Sequence, residues 1–178
     1  NGNANVSYNI LESIRLFAPK ARFIAICSAN EYGAVSGKVR ALPESTPLRP
    51  LNPYAVSKVT QEMLALQYHF AYGLDTIVLR PFNHTGIGQT EDFVIPRLAK
   101  QFVEIERGQK PPVIELGNLT SIRDFTDVRD MVKAYRLAAE TCETGESYNL
   151  GTGIGHSIGQ IVDIFNSLAS KKVEVIER

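Results

Sequence analysis

A tyrosine and a lysine four positions apart form the pair in this sequence that is best suited to proton transfer. Tyr54 and Lys58 follow Asn52-Pro53, which is typical of a helix start, so the two side chains are predicted to share one helix face. A lysine ammonium beside a tyrosine hydroxyl stabilises the phenolate, and the helix N-terminus adds to that effect. Such a tyrosine gives or takes a proton near neutral pH. Taken alone, the spacing also fits an exposed Tyr-Lys pair on a solvated helix.

Ser28 gives this pair a chemical context. It follows a short apolar run at residues 22–27, which is predicted to be a buried strand, and it precedes Tyr54 by 26 residues. In parallel sheets, ligands bind at the carboxyl ends of the strands. We therefore expect Ser28 to face the same site and to donate a hydrogen bond to a substrate oxygen beside Tyr54.

Strands and helices alternate along the chain, which favours a mainly parallel sheet with crossover helices. The fold class is therefore predicted to be α/β, with parallel strands that start near Arg22, Asp75 and Ser147. Residues 80–89 are rich in turn formers and are predicted to be a loop. Apolar spacing and capping residues predict helices at 5–17, 52–72, 94–107, 127–141 and 158–169, and further strands at 113–116 and 172–176.

The composition argues against several classes of partner. The 178 residues carry 19 basic and 19 acidic side chains, so the formal net charge is zero and neither nucleic acid nor an anionic membrane is indicated. No apolar run approaches the roughly 20 residues of a membrane helix, and the first residues show no signal-peptide pattern. Cys27 and Cys142 make neither a disulfide framework nor a metal site and are expected in the core. A reducing cytoplasm is the expected location.

The segments around Ser28 and Tyr54 resemble a known family. Residues 28–33 read Ser-Ala-Asn-Glu-Tyr-Gly, and residues 53–58 read Pro-Tyr-Ala-Val-Ser-Lys. Both resemble the extended short-chain dehydrogenase/reductase family, which includes NAD-dependent epimerases and dehydratases. The resemblance implies an oxidoreductase that uses NADP or NAD on a Rossmann fold, with Ser28, Tyr54 and Lys58 as its catalytic groups and without a metal.

Further segments resemble the members that act on nucleotide sugars, and in particular the GDP-6-deoxy-4-keto-mannose reductase family. They are residues 80–89, Arg-Pro-Phe-Asn-His-Thr-Gly-Ile-Gly-Gln; 93–95, Phe-Val-Ile; 117–119, Gly-Asn-Leu; and 123–128, Arg-Asp-Phe-Thr-Asp-Val. The resemblance runs through essentially the whole chain and implies reduction of the 4-keto group of a GDP-linked 6-deoxyhexose. It implies that the cofactor contacts Tyr54, Lys58, Pro81, Phe82 and His84, and that the nucleotide-diphosphate sugar contacts Asn30, Asn83, Val94, Arg97, Leu116 and Arg123.

One position bears on the choice between this family and its sister family, GDP-mannose 4,6-dehydratase, which shares several of these segments. Dehydratase chemistry needs a carboxylate base two residues after the catalytic Ser or Thr, to move the proton on sugar C5. This chain has Asn30 there, and an amide cannot abstract that proton. The reductase is therefore preferred, with a dehydratase or another nucleotide-sugar epimerase as the alternative.

The resemblance also implies a domain arrangement. Residues 1–85 are expected to form the C-terminal half of a Rossmann domain with the catalytic groups. Residues 86–178 are expected to form a substrate-binding lobe, interleaved with the last Rossmann strand at about 145–152. The Gly-x-x-Gly-x-x-Gly segment that opens the family's fold and binds the pyrophosphate at a helix N-terminus is not found in the 178 residues. Two hypotheses follow, namely part of a longer enzyme or a truncated, catalytically inactive dimerising module.

Members of this family commonly dimerise through two helices per subunit, which pack as a four-helix bundle. The matching helices here are residues 5–17 and 54–72, so a homodimer is expected. The apolar side chains expected at its interface are Leu11, Met63, Leu64 and Leu66.

Overall fold

The computed structural model describes residues 2–35 and 41–178. Its elements in chain order are α1 (Gly2–Phe17), β1 (Phe23–Ile26), a 3₁₀ turn (Ala29–Tyr32), α2 (Pro53–Tyr72), β2 (Thr76–Pro81), β3 (Asn83–Thr85), α3 (Val94–Glu106), β4 (Val113–Leu116), β5 (Ile122–Asp127), α4 (Val128–Thr141), β6 (Ser147–Leu150), β7 (Gly155–Ser157), α5 (Ile158–Leu168) and β8 (Glu174–Glu177).

These elements belong to two compact units. Unit 1 consists of the chain up to Phe82 together with Arg129–Gly151, and unit 2 consists of Asn83–Val128 and Thr152–Arg178. The functional role of each unit stays a prediction. Within the described residues, no helix is both long enough and apolar enough to cross a membrane.

Unit 1 is built on a parallel sheet with the strand order β1-β2-β6. Phe23 lies opposite Thr76 in the first strand pair, and Val78 lies opposite Ser147 in the second. Every residue of the central strand, β2, is buried. A strand buried on both faces is typical of a parallel sheet covered by helices, so the predicted α/β class and the parallel pairing of these three strands are confirmed.

The helix that carries Tyr54 and Lys58 has clear start and stop signals. The side chain of Asn52 accepts a hydrogen bond from the backbone N–H of Ala55 at 2.8 Å, and Pro53 occupies the first helical position. Gly73 ends the helix with a φ of 68°, and its N–H donates to the carbonyl of His69. The first turn of α2 is therefore fixed by local sequence.

The packing of α1 on α2 corrects part of the predicted dimer surface. Leu11 is fully buried in a cluster with Tyr68 and Leu74, and Leu64 packs against the same cluster. Leu66 packs against a second cluster beneath the sheet. Leu11 is thus a core residue and not an interface residue. Leu64 and Leu66 are half-buried and Met63 is 46% exposed, so their place in an interface stays a prediction.

Unit 2 holds two small sheets. Strand β5 pairs with β3 in parallel and with β7 in antiparallel orientation, and β4 pairs with β8 in parallel. Helices α3 and α5 supply the core, in which the rings of Phe102 and Phe165 stack with their centroids 5.2 Å apart.

The prediction that residues 80–89 form a loop is wrong for the first half of this segment. Arg80 and Pro81 complete the buried strand β2, and Asn83–Thr85 form β3. Strands β3, β5 and β7 were not expected, because they are short and polar and because cross-strand pairing, rather than local sequence, defines them.

We expect Gly33→Ala to destabilise the protein more than Gly73→Ala. Both glycines have positive φ, 70° and 68°, but a Cβ at Gly33 would collide with the carbonyl oxygen of Arg49, whereas nothing lies within 4 Å of a Cβ at Gly73. Gly73→Ala should cost about 1 kcal/mol from the left-handed backbone, and Gly33→Ala roughly 2 kcal/mol more because the neighbouring chain must move. Urea denaturation measures both losses, and equal values would contradict the close approach.

Candidate active site

Ser28 lies just beyond the end of β1, at the head of the 3₁₀ turn; residues 28–33 are called the Ser28 turn. Its backbone is extended, with φ −163° and ψ 141°, and its side-chain oxygen accepts a hydrogen bond from the N–H of Asn30 at 3.2 Å. In return, the backbone N–H of Ser28 donates to the carboxyl group of Glu31 at 3.2 Å. This capping box fixes the backbone at Ser28. Because its Oγ acts as an acceptor within the turn, the hydroxyl hydrogen stays available to a ligand.

The first turn of α2 presents Tyr54 and Lys58 as the sequence predicts. Tyr54 is 50% exposed, and the Lys58 Nζ lies 5.9 Å from the centroid of its ring. Lys58 Nζ donates to the carbonyl of Ile26 at 2.7 Å and to Gln61 Oε1 at 3.0 Å. The bond to Ile26 joins the start of α2 to the strand end that leads into the Ser28 turn.

One donor of unit 1, on Lys58, suits a bound dinucleotide. An ammonium group has three N–H donors, and the two hydrogen bonds of Lys58 to described residues leave one for a ribose hydroxyl. Pro81 is buried at the end of β2, and the half-buried Phe82 follows it, with its N–H donating to the carbonyl of Leu150 at 2.8 Å. Four of the five predicted cofactor contacts therefore lie in unit 1, and the fifth, His84, lies in unit 2.

Six of the predicted site residues meet in one cavity of unit 2. The cavity has a volume of about 460 Å³, within the usual range for small-molecule pockets. Its wall includes all six residues of unit 2 that the family resemblance picks out: Asn83, His84, Val94, Arg97, Leu116 and Arg123. The sequence analysis did not identify further wall residues, among them Gln89, Asn118 and Ser121. Asn30, the other predicted substrate contact, is exposed on the Ser28 turn in unit 1.

The cavity wall carries groups that suit an anionic ligand. Arg97 Nε donates to the carbonyl of Glu91 at 3.0 Å, and Arg123 Nη1 donates to that of Ile122 at 2.7 Å. These carbonyls hold the guanidinium groups without neutralising them. The N-terminal turn of α3 also lines the cavity, and Phe93 at its N-cap has no side chain to accept from the helix. Unsatisfied N–H groups at a helix N-terminus favour phosphate oxygens.

A buried ion pair behind the Ser28 turn was not predicted. Arg80, 5% exposed, donates from Nε and Nη2 to the two carboxylate oxygens of Glu62 at 2.9 and 2.6 Å. Its Nη1 donates to the Tyr32 hydroxyl at 2.7 Å. The sequence did hold a signal, because Arg80 directly follows the apolar run at 77–79, and a charge at such a position needs an acid partner.

Glu31 has no exposed surface and lies beside this ion pair. One of its oxygens accepts from the N–H of Ser28, and the other lies 3.7 Å from Arg80 Nε without a hydrogen bond to any described residue. Burial and the neighbouring Glu62 carboxylate raise the pKa of Glu31 to about 8, against the opposing effect of Arg80. Because Glu31 is fully buried and bonded to the Ser28 N–H, its side chain points away from the protein surface.

Comparison with known proteins identifies the family. A family model described as GDP-mannose 4,6 dehydratase matches residues 1–178. The GDP-6-deoxy-D-mannose reductase of Pseudomonas aeruginosa is 32% identical over 169 residues, which cover 95% of this chain and 56% of that protein. The GDP-6-deoxy-D-talose 4-dehydrogenase of Aggregatibacter actinomycetemcomitans is 36% identical over 169 residues, which cover 94% of this chain and 54% of that protein.

The solved structure of RMD from Pseudomonas aeruginosa complexed with NADPH is similar, with a TM-score of 0.93 at 32% identity, over 98% of this chain and 59% of that one. The chain thus spans about half the length of the curated relatives it matches. The similarity confirms the predicted partial Rossmann fold and the family resemblance. Because the family model covers its whole length, the chain belongs to the GDP-mannose 4,6 dehydratase family.

Proposed function

We propose that this chain is part of an NAD(P)H-dependent enzyme that reduces the 4-keto group of a GDP-linked 6-deoxyhexose. Bound NADPH or NADH would supply the hydride to the C4 carbonyl carbon. Ser28 donates its hydroxyl hydrogen to the carbonyl oxygen, and Tyr54 then protonates that oxygen. Lys58 holds the cofactor ribose and stabilises the Tyr54 phenolate after the proton has left.

The choice of reduction over 4,6-dehydration rests on the orientation of the side chains in the Ser28 turn. A 4,6-dehydratase needs a carboxylate that reaches the sugar. The residue two positions after Ser28 is the exposed amide Asn30, and the adjacent acid, Glu31, is fully buried and bonded to the Ser28 backbone. The turn thus offers hydrogen-bond donors to a carbonyl oxygen and no base for the C5 proton.

The cavity of unit 2 supports a nucleotide-diphosphate sugar as the substrate. Asn83, Arg97 and Arg123 would donate to the diphosphate, and a guanidinium fork matches phosphate oxygens. Val94 and Leu116 give the cavity apolar contact surface, and His84 would lie near the cofactor amide. The names of the two relatives, both GDP-6-deoxyhexose enzymes, favour guanine as the base.

The assembly we propose is a homodimer through α1 and α2. An apolar groove on α1 is lined by Ile10, Ile14, Phe17 and neighbouring small residues, and Phe17 is 83% exposed. On α2, Met63 and Phe70 are 46% and 76% exposed. Exposed apolar side chains on two neighbouring helices favour a protein partner. Because Cys27 and Cys142 are free thiols, we infer a reducing cytoplasm as the location.

Tyr54→Phe should lower kcat by roughly 10²–10⁴ in the full protein, because it removes the proton donor and little else. Turnover of a GDP-4-keto-6-deoxyhexose is followed by NADPH oxidation. Tyr8→Phe is the matched control, since both tyrosines are 50% exposed and Tyr8 has no assigned part in the chemistry. Unchanged turnover in Tyr54→Phe would remove the acid role from this residue.

The nucleotide base is tested by a thermal-shift panel of GDP-, UDP- and dTDP-sugars. A ligand at 100 times its dissociation constant should stabilise the protein by about 2.7 kcal/mol, and we expect this for GDP-sugars. Arg123→Gln should weaken GDP-sugar binding roughly 10- to 100-fold, because it loses a charge-assisted bond to phosphate. Arg136→Gln, on the exposed face of α4, is the matched control. Stabilisation by UDP- or dTDP-sugars alone would refute the GDP assignment and leave the Ser28 chemistry standing.

Ile10→Glu should raise the dissociation constant of the homodimer by roughly 100-fold or more, because each subunit would bury an unpaired carboxylate at the interface. Val103→Glu on α3 is the matched control, since both side chains are 44% exposed. Sedimentation equilibrium at micromolar concentration measures the effect. A wild-type protein that sediments only as a monomer would contradict the proposed assembly.

A further inference from the structure

We propose that Glu31 is a positioning residue for Ser28 and that it acts as a neutral carboxylic acid whose proton is shared with the carboxylate of Glu62. The effect of Glu31 on the stability of the Ser28 turn is independent of the reaction, whereas its effect on kcat rests on the proposed function. No step of the proposed reaction uses Glu31 directly.

The first observation is an imbalance of buried charge. Glu31 and Glu62 are 0% and 1% exposed, and a carboxylate oxygen of each lies within 4.8 Å of the other. Arg80 directs both prongs of its guanidinium to Glu62 and approaches Glu31 no closer than 3.7 Å. Two ionised acids would therefore share one cation away from water, which costs more than keeping a proton on one of them.

The second observation is the unpartnered oxygen of Glu31. Its Oε2 is buried and receives no hydrogen bond from any described residue. A buried ionised oxygen without a donor is strongly disfavoured. A proton on Glu31 turns that oxygen into a donor toward Glu62, so one proton removes both the excess charge and the missing hydrogen bond.

The third observation links this acid to the site. The other oxygen of Glu31, Oε1, accepts from the backbone N–H of Ser28, while Ser28 Oγ accepts from Asn30. The Glu31 side chain therefore sets the Ser28 backbone, and the backbone sets the direction of the Ser28 hydroxyl. A second negative charge facing Glu62 would push the Glu31 side chain, and Ser28 with it, away from this position.

The groups around Glu31 come from each element packed on it. Glu62 faces it from α2, Arg80 from β2 and Cys27 from the end of β1, while the Tyr32 hydroxyl of its own turn accepts a hydrogen bond from Arg80. Burial and Glu62 raise the pKa of Glu31 to about 8, and burial raises the pKa of the Cys27 thiol.

The sign of the pH dependence follows from proton binding. From its ordinary value of 4.5 up to about 8, folded Glu31 keeps a proton that the unfolded chain releases. The contribution of Glu31 to the free energy of unfolding therefore falls as the pH rises from 4.5 to about 8, and it is constant above that pH. Glu31→Gln keeps an acceptor for Ser28 and a donor for Glu62 but cannot ionise, so it does not show this fall.

The experiment compares the unfolding equilibria of wild type and Glu31→Gln by urea denaturation from pH 5 to pH 9. Below pH 8, we expect the ratio of the wild-type unfolding constant to that of Glu31→Gln to rise by up to about tenfold per pH unit. Above pH 8, we expect this ratio to level off. Glu140→Gln, which removes an exposed carboxylate on α4, is the matched control and should give a flat ratio. A flat ratio for Glu31→Gln as well would overturn the proposal.

The positioning role is read from activity in the full protein. As the pH rises past about 8, the ratio of wild-type kcat to that of Glu31→Gln should fall, with KM for NADPH unchanged in both. Glu31→Ala, which leaves the Ser28 N–H without its acceptor, should lower kcat roughly 10- to 100-fold, and Gln at the same position should restore it. Identical pH profiles in wild type and Glu31→Gln would overturn the positioning role while the reductase assignment stands. If no reductase activity is found, the unfolding ratio still decides whether Glu31 holds the proton.

Discussion

The arrangement of unit 1 depends on one buried cation, the guanidinium of Arg80 in the central strand β2. A charge at that depth requires partners, and it finds them in the Glu62 carboxylate, the Tyr32 hydroxyl and the Glu44 carbonyl. Glu62 lies on α2 and Tyr32 on the Ser28 turn, so one side chain joins the central strand to both elements that carry the proposed proton-transfer groups. Removing one partner from such a pair typically costs about 3–5 kcal/mol. The hydrogen bonds of Arg80 therefore keep the Ser28 turn packed beside α2.

The sequence predicts well where local chemistry decides the structure. Asn52-Pro53 and Gly73 bound α2 because they are local cap signals, and the segments at 22–27 and 75–79 become parallel strands, of which β2 is fully buried and β1 is half-buried. The sequence predicts the structure poorly where pairing between distant strands decides it. Strand β5 exists because β3 and β7 lie beside it, and its residues, Ile-Arg-Asp-Phe-Thr-Asp, carry no strand signal of their own. The depth of Arg80 is missed for the same reason, since burial is a property of the assembled sheet.

For the candidate site, the sequence predicts which residues take part but not how they come together. Ser28, Tyr54 and Lys58 could be named from their motifs, and the six residues predicted in unit 2 do line one cavity. They come from β3, α3, the end of β4 and β5, and no spacing rule joins four elements. Their convergence follows from the packing of α3 and α5 around Phe102 and from the strand pairing that places β3 beside β5. Motif resemblance could identify these residues, whereas physical periodicity alone could not.

Two adjacent residues show how a turn can select a reaction. In sequence, Asn30 and Glu31 are neighbours, and either could face a sugar bound at Ser28. The 3₁₀ turn separates them, because Glu31 must return to the Ser28 N–H to complete the capping box and Asn30 is then left at the surface. A carboxylate that serves as the cap and faces a buried ion pair cannot also serve as a base toward substrate. The hydrogen bond that fixes the Ser28 backbone is thus the same one that withdraws the nearest acid, so in the proposed reaction the geometry that favours carbonyl reduction also disfavours proton abstraction at C5.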